Sequence, residues 1–341
     1  MTRKTNYNKI VDKELWGQVN EDNKKLLSKW LTYLKVSDKS PQTIYQYKND
    51  MKIFFVFCLD NLDNKFFVEL TKGDIIEFQG YLVGELELSS SRVRRLRSTL
   101  SSMSNYIESI LDEKYPDFRN LISKIEAPKA SAVREKTILR DDQVERCLEE
   151  LIEKGLYQEA CAFALASYSG SRLSEIVQFK INYFEDKNIK DFGSDAKFYI
   201  TPEKIRCKGS GKKGTMLNRF ILVDKFKPYF DLWIEERKNQ DIDSEWLFVN
   251  YDSNNDQWEQ LSSDSLSRYT PIYTKIIGEP IYFHCLRHYF VTLLSRNGIP
   301  HEIIQNIMGW KDIAMVGVYV DTTLEEKLEN FFNDNEINFN L

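Results

Sequence analysis

The chain has 341 residues, enough for two domains, and its 42% hydrophobic content supplies apolar side chains for two cores. It has neither a long apolar run nor an apolar segment near its start, so we expect a cytoplasmic protein without a membrane span or secretory signal. The net charge of −5 argues weakly against a nucleic-acid partner, but nucleic-acid binding depends on where the lysines and arginines lie.

The first part of the chain is predicted to be helical. Residues 1–20 show no clear period and are expected to form a loosely ordered N-terminal arm. Apolar residues then recur at three- and four-residue steps from Leu26 to Leu34, which is the spacing of one helix face. Three further helices have start signals, which are Ser40 before Pro41, the capping pair Thr71 and Asp74, and the serines at 89–91. Residues 21–123 are therefore assigned to one helical domain.

The helix that follows the serines contains four arginines within six residues: Arg92, Arg94, Arg95 and Arg97. Arginines beside serines are typical of contacts to a nucleic-acid phosphate backbone. A short charged run of this kind also fits a solvated helix face. Both interpretations stay open on the sequence alone.

The second half of the chain begins after a stretch without apolar period. Residues 124–139 contain Pro128 and small side chains and are predicted to form a linker. Residues 140–323 are predicted to be mostly helical, with two β-rich runs around a glycine- and lysine-rich tip that indicates a hairpin. Lys208, Lys212 and Lys213 lie in this tip. They either belong to a solvated turn or contact phosphates. The predicted fold is mainly α with a small β-hairpin or sheet.

The segment "FHCLRHYF" places His284 and His288 four residues apart, on one face if the segment is helical. A zinc protease motif would require H-E-x-x-H, but Cys285 and Leu286 occupy the intervening positions, and no acidic cluster lies in the segment. The sequence also lacks a G-x-x-x-x-G-K-[ST] phosphate loop. We therefore expect no metal and no other cofactor.

Four motifs follow one another along the second domain. They are "SGSRLSEI" with Arg172 and Glu175, the lysine-tipped hairpin, "HCLRH" with His284 and Arg287, and "MGWKDIAMVGVYV" with Trp310 and Tyr319. Trp310 follows Arg287 by 23 residues, and Tyr319 follows Trp310 by nine. This order and spacing resembles the tyrosine recombinase, or phage integrase, family. The helical domain and the linker also resemble that family's core-binding domain and connector.

The resemblance implies an active site for DNA strand transfer. In it, Tyr319 is the nucleophile that forms a 3′-phosphotyrosyl bond, and Lys208 is the general acid for the 5′-oxygen. The implied catalytic set is Arg172, Lys208, His284, Arg287, Trp310 and Tyr319, with Glu175 and His288 in supporting roles.

Elementary chemistry is consistent with these roles. An arginine presents a planar, permanently charged fork, so Arg172 and Arg287 are suited to binding two oxygens of one phosphodiester; the alternative for either one is an ion pair with an acid. A free phenol with a pKa of about 10 is a poor nucleophile, so Tyr319 requires activation by its surroundings. The indole of Trp310 can donate a hydrogen bond but cannot shuttle a proton.

The resemblance also implies partners, namely double-stranded DNA carrying specific recombination sites and three further copies of the chain in a tetramer. The tail, residues 324–341, has Leu324, Leu328, Phe331 and Phe332 at helical spacing, and either folds back or docks on a neighbouring protomer. Two other functions stay open, which are a type IB topoisomerase-like or telomere-resolving enzyme and a catalytically inactive DNA-binding protein of the same fold.

Overall fold

The computed structural model describes residues 10–129, 137–193, 197–207 and 214–320, which form two compact units on either side of residues 130–136. The N-terminal unit is entirely helical. Its α-helices are α1 (Lys13–Gln18), α2 (Glu21–Val36), α3 (Pro41–Asn61), α4 (Lys72–Gly80) and α5 (Ser90–Ile110). A π-helical turn, Tyr81–Glu85, continues α4, and short 3₁₀ turns lie at Phe67–Glu69 and Ile122–Lys124.

The helix starts in this unit agree with the start signals in the sequence. Ser40 caps α3 through a bond from the backbone N–H of Thr43, with Pro41 in the first turn. Thr71 and Asp74 form the predicted capping box at the start of α4. The middle of α3 is buried on nearly every face, so this helix lies at the centre of the unit's aromatic core.

The predicted loosely ordered arm is wrong for residues 10–20. Val11 and Val19 are buried in the core of the N-terminal unit, and α1 lies between them. Asn20 donates two hydrogen bonds to Asn64, which attach the segment to the turn after α3. The isolated valines carry no period, so the sequence pattern did not reveal that they pack.

The C-terminal unit is mostly helical with small antiparallel sheets. Its helices are α6 (Asp141–Glu153), α7 (Tyr157–Ser169), α8 (Leu173–Ile176), α9 (Val223–Asn239), α10 (Ser263–Ser267), α11 (Thr270–Ile277), α12 (Phe283–Arg296), α13 (His301–Met308) and α14 (Ala314–Tyr319). Its strands are β1 (Ile189–Asp191), β2 (Lys197–Ile200), β3 (Ile205–Cys207), β4 (Thr215–Leu217), β5 (Phe220–Leu222), β6 (Val249–Asp252) and β7 (Gln257–Gln260). Short 3₁₀ turns lie at Ile181–Phe184 and Asp186–Asn188.

The strands form two groups. In the first, the β3–β4 pair lies in the chain between the paired strands β2 and β5, and the second is a separate hairpin. Strand β2 pairs with β1 and β5 in one three-stranded sheet, and β3 pairs with β4 beyond it. Cys207 lies opposite Thr215 at the far end of the β3–β4 pair, so the predicted hairpin is present. Its lysine-rich tip, residues 208–213, lies outside the described residues. Strands β6 and β7 form the separate pair.

Helix α7 is the centre of the C-terminal unit. Every residue from Ala160 to Ser169 is buried, and the helix packs against α6, α9 and α12. A helix that is apolar all round is stable only when surrounded in this way. Because α7 is held on several sides, the turn at its C-terminal end has a fixed position. No helix in the described ranges is long and apolar enough to cross a membrane.

Candidate active site

The turn after α7 holds the first site arginine. Gly170 ends the helix in the left-handed conformation, at φ +57°, and a Cβ there would lie 2.6 Å from the ring of Phe290. Two residues later, Arg172 caps α8. Its backbone N–H donates to Oε2 of Glu175 at 3.0 Å, and its Nη1 donates to Oε1 at 2.8 Å. Glu175 is buried, whereas the Arg172 side chain keeps 25% of its surface exposed, so this guanidinium can still meet a ligand.

A second arginine, which the sequence analysis missed, approaches Glu175 from the position just before β5. Arg219 has no exposed surface, and its Nε lies 3.6 Å from Oε2 of Glu175. It also donates to the side chain of Ser171 and to the carbonyl of Ser169, each at 3.3 Å. In the sequence, Arg219 is a single charge before an apolar strand, with nothing to distinguish it from a surface residue.

The charge of Glu175 is set by opposing influences. Burial favours the neutral acid and would raise its pKa. The positive charge of Arg219 and the bonds from Arg172 outweigh burial, so the pKa of Glu175 lies below its ordinary value. Glu175 is therefore an ionised carboxylate between two guanidiniums.

Arg287 reaches the same turn from α12. Its Nη1 donates to the carbonyl of Gly170 at 2.6 Å. Its Nε and Nη2 are buried and have no hydrogen-bond acceptor among the residues that the structure describes. A buried donor without an acceptor is costly, so this guanidinium is suited to receive an anion.

The electrostatic surroundings of Arg287 also favour an anion. Burial, followed by the positive charges of Arg172 and Arg219, lowers its pKa to about 9, against smaller raising contributions from Glu175 and Tyr319. The ionised guanidinium is therefore held at a free-energy cost that a bound anion would reduce.

Tyr319, the last residue of α14, lies against the histidines of α12. Its hydroxyl is 2.9 Å from Nε2 of His284, and its ring stacks on His288 with centroids 4.3 Å apart. Thr292 donates to the carbonyl of Tyr319 at 3.2 Å, which joins the two helices. Tyr319 keeps 5% of its surface exposed. Both histidines thus face the tyrosine, and no three His, Cys, Asp or Glu side chains of the described ranges cluster as metal ligands would.

Trp310 lies beside both Tyr319 and Arg287. Its ring lies 4.6 Å from that of Tyr319, and Cζ of Arg287 lies 5.2 Å from the indole centroid. The indole Nε1–H is buried and has no acceptor within the described part of the chain. Trp310 therefore packs against the tyrosine and also offers an unused hydrogen-bond donor.

The structure brings together most of the residues that the sequence singled out in the C-terminal domain. Arg287, Trp310, Tyr319, His284 and His288 form one contact network, and the Arg172–Glu175 pair follows the turn whose Gly170 carbonyl accepts from Arg287. Lys208, Lys212 and Lys213 lie outside the described residues. Cys207, next to Lys208 in the chain, is buried, and this burial together with the charge of Glu175 raises its pKa to about 11.

The arginines of α5 differ from one another in their surroundings. Arg92 and Arg95 both pair with the buried carboxylate of Asp50, at 2.7 and 3.3 Å. Arg94 is exposed and donates to the carbonyl of Pro128. These three side chains still reach the surface of the N-terminal unit to different degrees.

Neither interpretation of the arginine run, contact with DNA or a solvated face, holds for Arg97. Its residue surface is only 7% exposed, and its guanidinium donates to the side chain of Gln79 and to the carbonyls of Ile122 and Ile125. Arg97 therefore fastens the segment after α5 to the N-terminal unit, because its donors are already occupied inside the fold.

A model of the phage integrase family matches residues 137–326, more than half of the chain. The chain belongs to this family, the tyrosine recombinases. A second model, of the phage integrase N-terminal SAM-like domain, matches residues 26–117. The two matches fall on the two units of this tyrosine recombinase, and its mainly helical fold is that of the family.

Curated relatives have modest sequence identity to this tyrosine recombinase. The SPbeta prophage-derived recombinase-like protein YomM of Bacillus subtilis is 28% identical over 243 residues, which cover 70% of this chain and 68% of YomM. Tyrosine recombinase XerC of Thermodesulfovibrio yellowstonii is 25% identical over 311 residues, which cover 89% of this chain and 93% of XerC.

Solved structures share its fold. The XerH site-specific recombinase, bound to a palindromic difH substrate after cleavage, has a TM-score of 0.63 at 18% identity, over 85% of this chain and 79% of that one. A lambda integrase dimer bound to a COC′ core site has a TM-score of 0.62 at 19% identity, over 93% of this chain and 83% of that one.

Proposed function

We propose that this tyrosine recombinase cleaves and rejoins DNA at specific sites through a 3′-phosphotyrosyl intermediate, without ATP or a metal ion. The observation that carries the proposal is the 2.9 Å contact between the Tyr319 hydroxyl and Nε2 of His284. Arg287 lies beside that tyrosine, with Cζ 5.7 Å from the ring centroid and two donor nitrogens that have no acceptor among the described residues. A nucleophile, a proton acceptor and an anion-binding group therefore share one enclosed space.

The scissile phosphate is bound by Arg172 and Arg287. Each guanidinium donates to non-bridging oxygens, and the indole Nε1–H of Trp310 supplies a further donor. These groups bind the charge that develops on phosphorus oxygens as the nucleophile approaches. The nitrogens of Arg287 and Trp310 that lack an acceptor in the described part of the chain support this assignment, because a phosphate would complete their hydrogen bonding.

In the cleavage step, the hydroxyl oxygen of Tyr319 attacks phosphorus and its proton passes to Nε2 of His284. The bond from phosphorus to the 5′-oxygen breaks, and that oxygen takes a proton from Lys208 to leave as a hydroxyl. Rejoining reverses the step, with a 5′-hydroxyl as the attacking group. One phosphodiester bond is exchanged for another, so the reaction requires no external energy source.

Glu175 and His288 have supporting roles. Glu175 fixes Arg172 through two hydrogen bonds. His288 stacks on the phenol ring and limits its rotation. Both residues act through a neighbour rather than on the phosphate.

The DNA partner is a duplex with specific recombination sites, and the working assembly is a tetramer. The named relatives support this, since one neighbouring structure is a lambda integrase tetramer bound to a Holliday junction. Arg92, Arg94 and Arg95 of α5 supply backbone contacts in the core-binding domain, which we assign to residues 21–123, and Lys212 and Lys213 supply others in the catalytic domain, residues 140–323.

The tail joins neighbouring protomers. The C-terminal unit has an apolar groove lined by Phe192, Phe198, Phe220, Ile299, Ile303 and Ile307. Phe192 is 64% exposed and Ile303 49% exposed, which is unusual for large apolar side chains. The 21 residues after Val320 include four large apolar side chains at helical spacing, Leu324, Leu328, Phe331 and Phe332. We assign this segment of a second copy as the occupant of the groove, in a head-to-tail ring.

The direct test is a nicked DNA substrate that loses its 5′-hydroxyl fragment after cleavage and so traps the covalent complex. Wild-type protein should form the complex on DNA that carries its site, and Tyr319→Phe should bind the same DNA without forming it. Relaxation of supercoiled DNA that carries one site would indicate a topoisomerase-like enzyme. DNA binding without a complex in the wild type would indicate an inactive DNA-binding protein.

A further inference from the structure

Arg219 is the one site arginine to which the proposed reaction assigns no role. It has no exposed surface, so it cannot touch DNA in this conformation. Its own position is fixed by Thr201, directly after β2, since the backbone N–H of Arg219 donates to the Thr201 side chain at 3.0 Å and its carbonyl accepts from the Thr201 N–H at 3.1 Å. A buried charge requires compensation, so its partners show what it does.

Two of the partners of its side chain belong to the turn that precedes Arg172. Arg219 donates to the carbonyl of Ser169 and to the side chain of Ser171. Arg287 donates to the carbonyl of Gly170, between them. The guanidiniums of Arg219 and Arg287 therefore bind three consecutive residues of one turn, 169–171. Arg172 is the next residue in the chain after this turn.

The second link between Arg219 and Arg172 is the Glu175 carboxylate. Oε2 lies 3.6 Å from Nε of Arg219, while Oε1 accepts from Nη1 of Arg172. Glu175 therefore has to be ionised to attract both arginines. Since Glu175 is buried, its ionised form depends on a nearby positive charge, and the fully buried Arg219 is less screened by solvent than Arg172.

We propose that Arg219 is a positioning residue for strand cleavage, which keeps Glu175 ionised and the 169–171 turn fixed so that Arg172 is oriented toward the scissile phosphate. This inference rests on the proposed function. It assigns Arg219 no contact with DNA and no proton transfer.

In this role, Arg219 determines how strand cleavage depends on pH. The charged or titratable groups that face Glu175 in the described part are Arg172, Arg219, Arg287 and Cys207. Burial raises the pKa of Glu175 and the charge of Arg219 is the strongest influence that lowers it. Without that charge the pKa of Glu175 should rise, and the carboxylate should become neutral as the pH falls through the raised value.

The experiment measures covalent-complex formation at about pH 6 and about pH 8.5 for a set of variants. Arg219→Gln should lose at least about tenfold more activity, relative to wild type, at the lower pH than at the higher one. Arg219→Lys keeps the charge and should restore most of the lower-pH activity. In Arg219→Gln combined with Glu175→Gln, the extra loss at low pH should disappear, because no carboxylate is left to titrate.

Arg237 supplies a matched control. It is another buried arginine of the same unit, and it donates to the carbonyls of Ser244, Trp246 and Leu247. Arg237→Gln removes a buried guanidinium without touching Glu175. It should lower thermal stability while changing activity equally at both pH values. If Arg219→Gln behaves like Arg237→Gln, Arg219 is only a structural residue and the inference is overturned.

A readout independent of activity separates this inference from the proposed function. In wild type the lowered pKa of Glu175 adds stability above its unfolded-state value, and this contribution is lost as the pH falls through the lowered folded-state pKa. In Arg219→Gln the raised pKa reverses the sign, so Tm should fall relative to Arg237→Gln as the pH rises from about 5 to about 7. A wild type without covalent complex would refute the reaction, whereas an unchanged slope of Tm against pH would refute the role of Arg219. If Arg219→Gln does not fold, Arg219→Lys and Glu175→Gln are measured in its place. A Glu175→Gln protein that forms the covalent complex as fast as wild type contradicts the inference.

Discussion

The hydroxyl of Tyr319 and Nε2 of His284 are 2.9 Å apart, although the residues lie 35 positions apart in the chain. They come from α14 and α12, which are also joined by the hydrogen bond from Thr292 to the Tyr319 carbonyl. The contact therefore depends on how these two helices pack. It gives the phenol a specific hydrogen-bond partner, and we propose that this ring nitrogen takes up the phenol proton.

We expect His284→Gln to slow formation of the covalent complex by about 10²- to 10⁴-fold, because an amide can accept a hydrogen bond but does not take up the phenol proton. Binding to the uncleaved site should be unchanged. Single-turnover trapping with excess protein measures the rate, and gel mobility measures the binding.

His288→Gln is the matched control for this variant, since it removes the ring that stacks on Tyr319 and leaves the His284 contact in place. It should slow cleavage by no more than about tenfold, the size of an aromatic pair contribution. Equal effects of the two variants would mean that His284 only packs against the tyrosine.

Sulfate should stabilise the free protein by binding at Arg287. The Nε and Nη2 groups of Arg287 lack acceptors among the described residues, and burial beside two other arginines makes its charge costly. At ten times the dissociation constant, one bound anion adds about 1.4 kcal/mol, or a rise of a few degrees in Tm. Thermal unfolding in sodium sulfate, against sodium chloride of equal ionic strength, measures this rise.

The rise in Tm should be lost in Arg287→Gln and retained in Arg237→Gln, whose arginine donates to backbone carbonyls instead. A rise of the same size in both variants would place the anion elsewhere.

Arg94→Gln and Arg97→Gln should affect different properties, namely DNA binding and stability. Arg97→Gln removes buried bonds to Gln79 and to two carbonyls, so we expect a loss of about 1–3 kcal/mol of stability. Arg94→Gln should leave stability nearly unchanged and weaken DNA binding, reducing the slope of log affinity against log salt by about one. Urea unfolding measures the stability of each variant, and salt-dependent binding measures its affinity for DNA. If Arg97→Gln weakened DNA binding more than Arg94→Gln while the two variants were equally stable, the assignment would be contradicted.

Phe331→Asp and Ile303→Asp should each prevent tetramer assembly on DNA while leaving single-site binding intact, because a charge in the tail or in the groove opposes apolar docking. Sedimentation with paired sites measures assembly. A mixture of the two variants should form pairs without a closed tetramer, since each pair has one intact tail and one intact groove. If the tail instead folds onto its own protomer, Phe331→Asp should lower the Tm of the monomer and leave assembly unchanged.

The sequence predicted the active-site cluster better than it predicted the N-terminal unit. Arg172, His284, Arg287 and Tyr319 were recognisable because each lies within a spaced motif. The capping signals at Ser40 and Thr71 were readable because caps are local. In these cases a few neighbouring residues carry the information.

Other features depend on packing that short patterns do not contain. Arg97 lies on the same helix face as the buried residues Val93 and Leu100, so the helix period could have separated it from Arg94. Arg219 had no such signal, because its role depends on Glu175, which lies far away in the chain. The same holds for Val11 and Val19, which pack although they form no pattern.

The most direct test of the account identifies the residue and the DNA end in the covalent complex. Trapped complex is digested with protease and nuclease, and mass spectrometry locates the attached nucleotide. The account predicts a phosphate that joins the Tyr319 hydroxyl to a 3′-end, together with a released strand that bears a free 5′-hydroxyl. A linkage at another residue, a linkage to a 5′-end, or an equal yield of complex from Tyr319→Phe would contradict it.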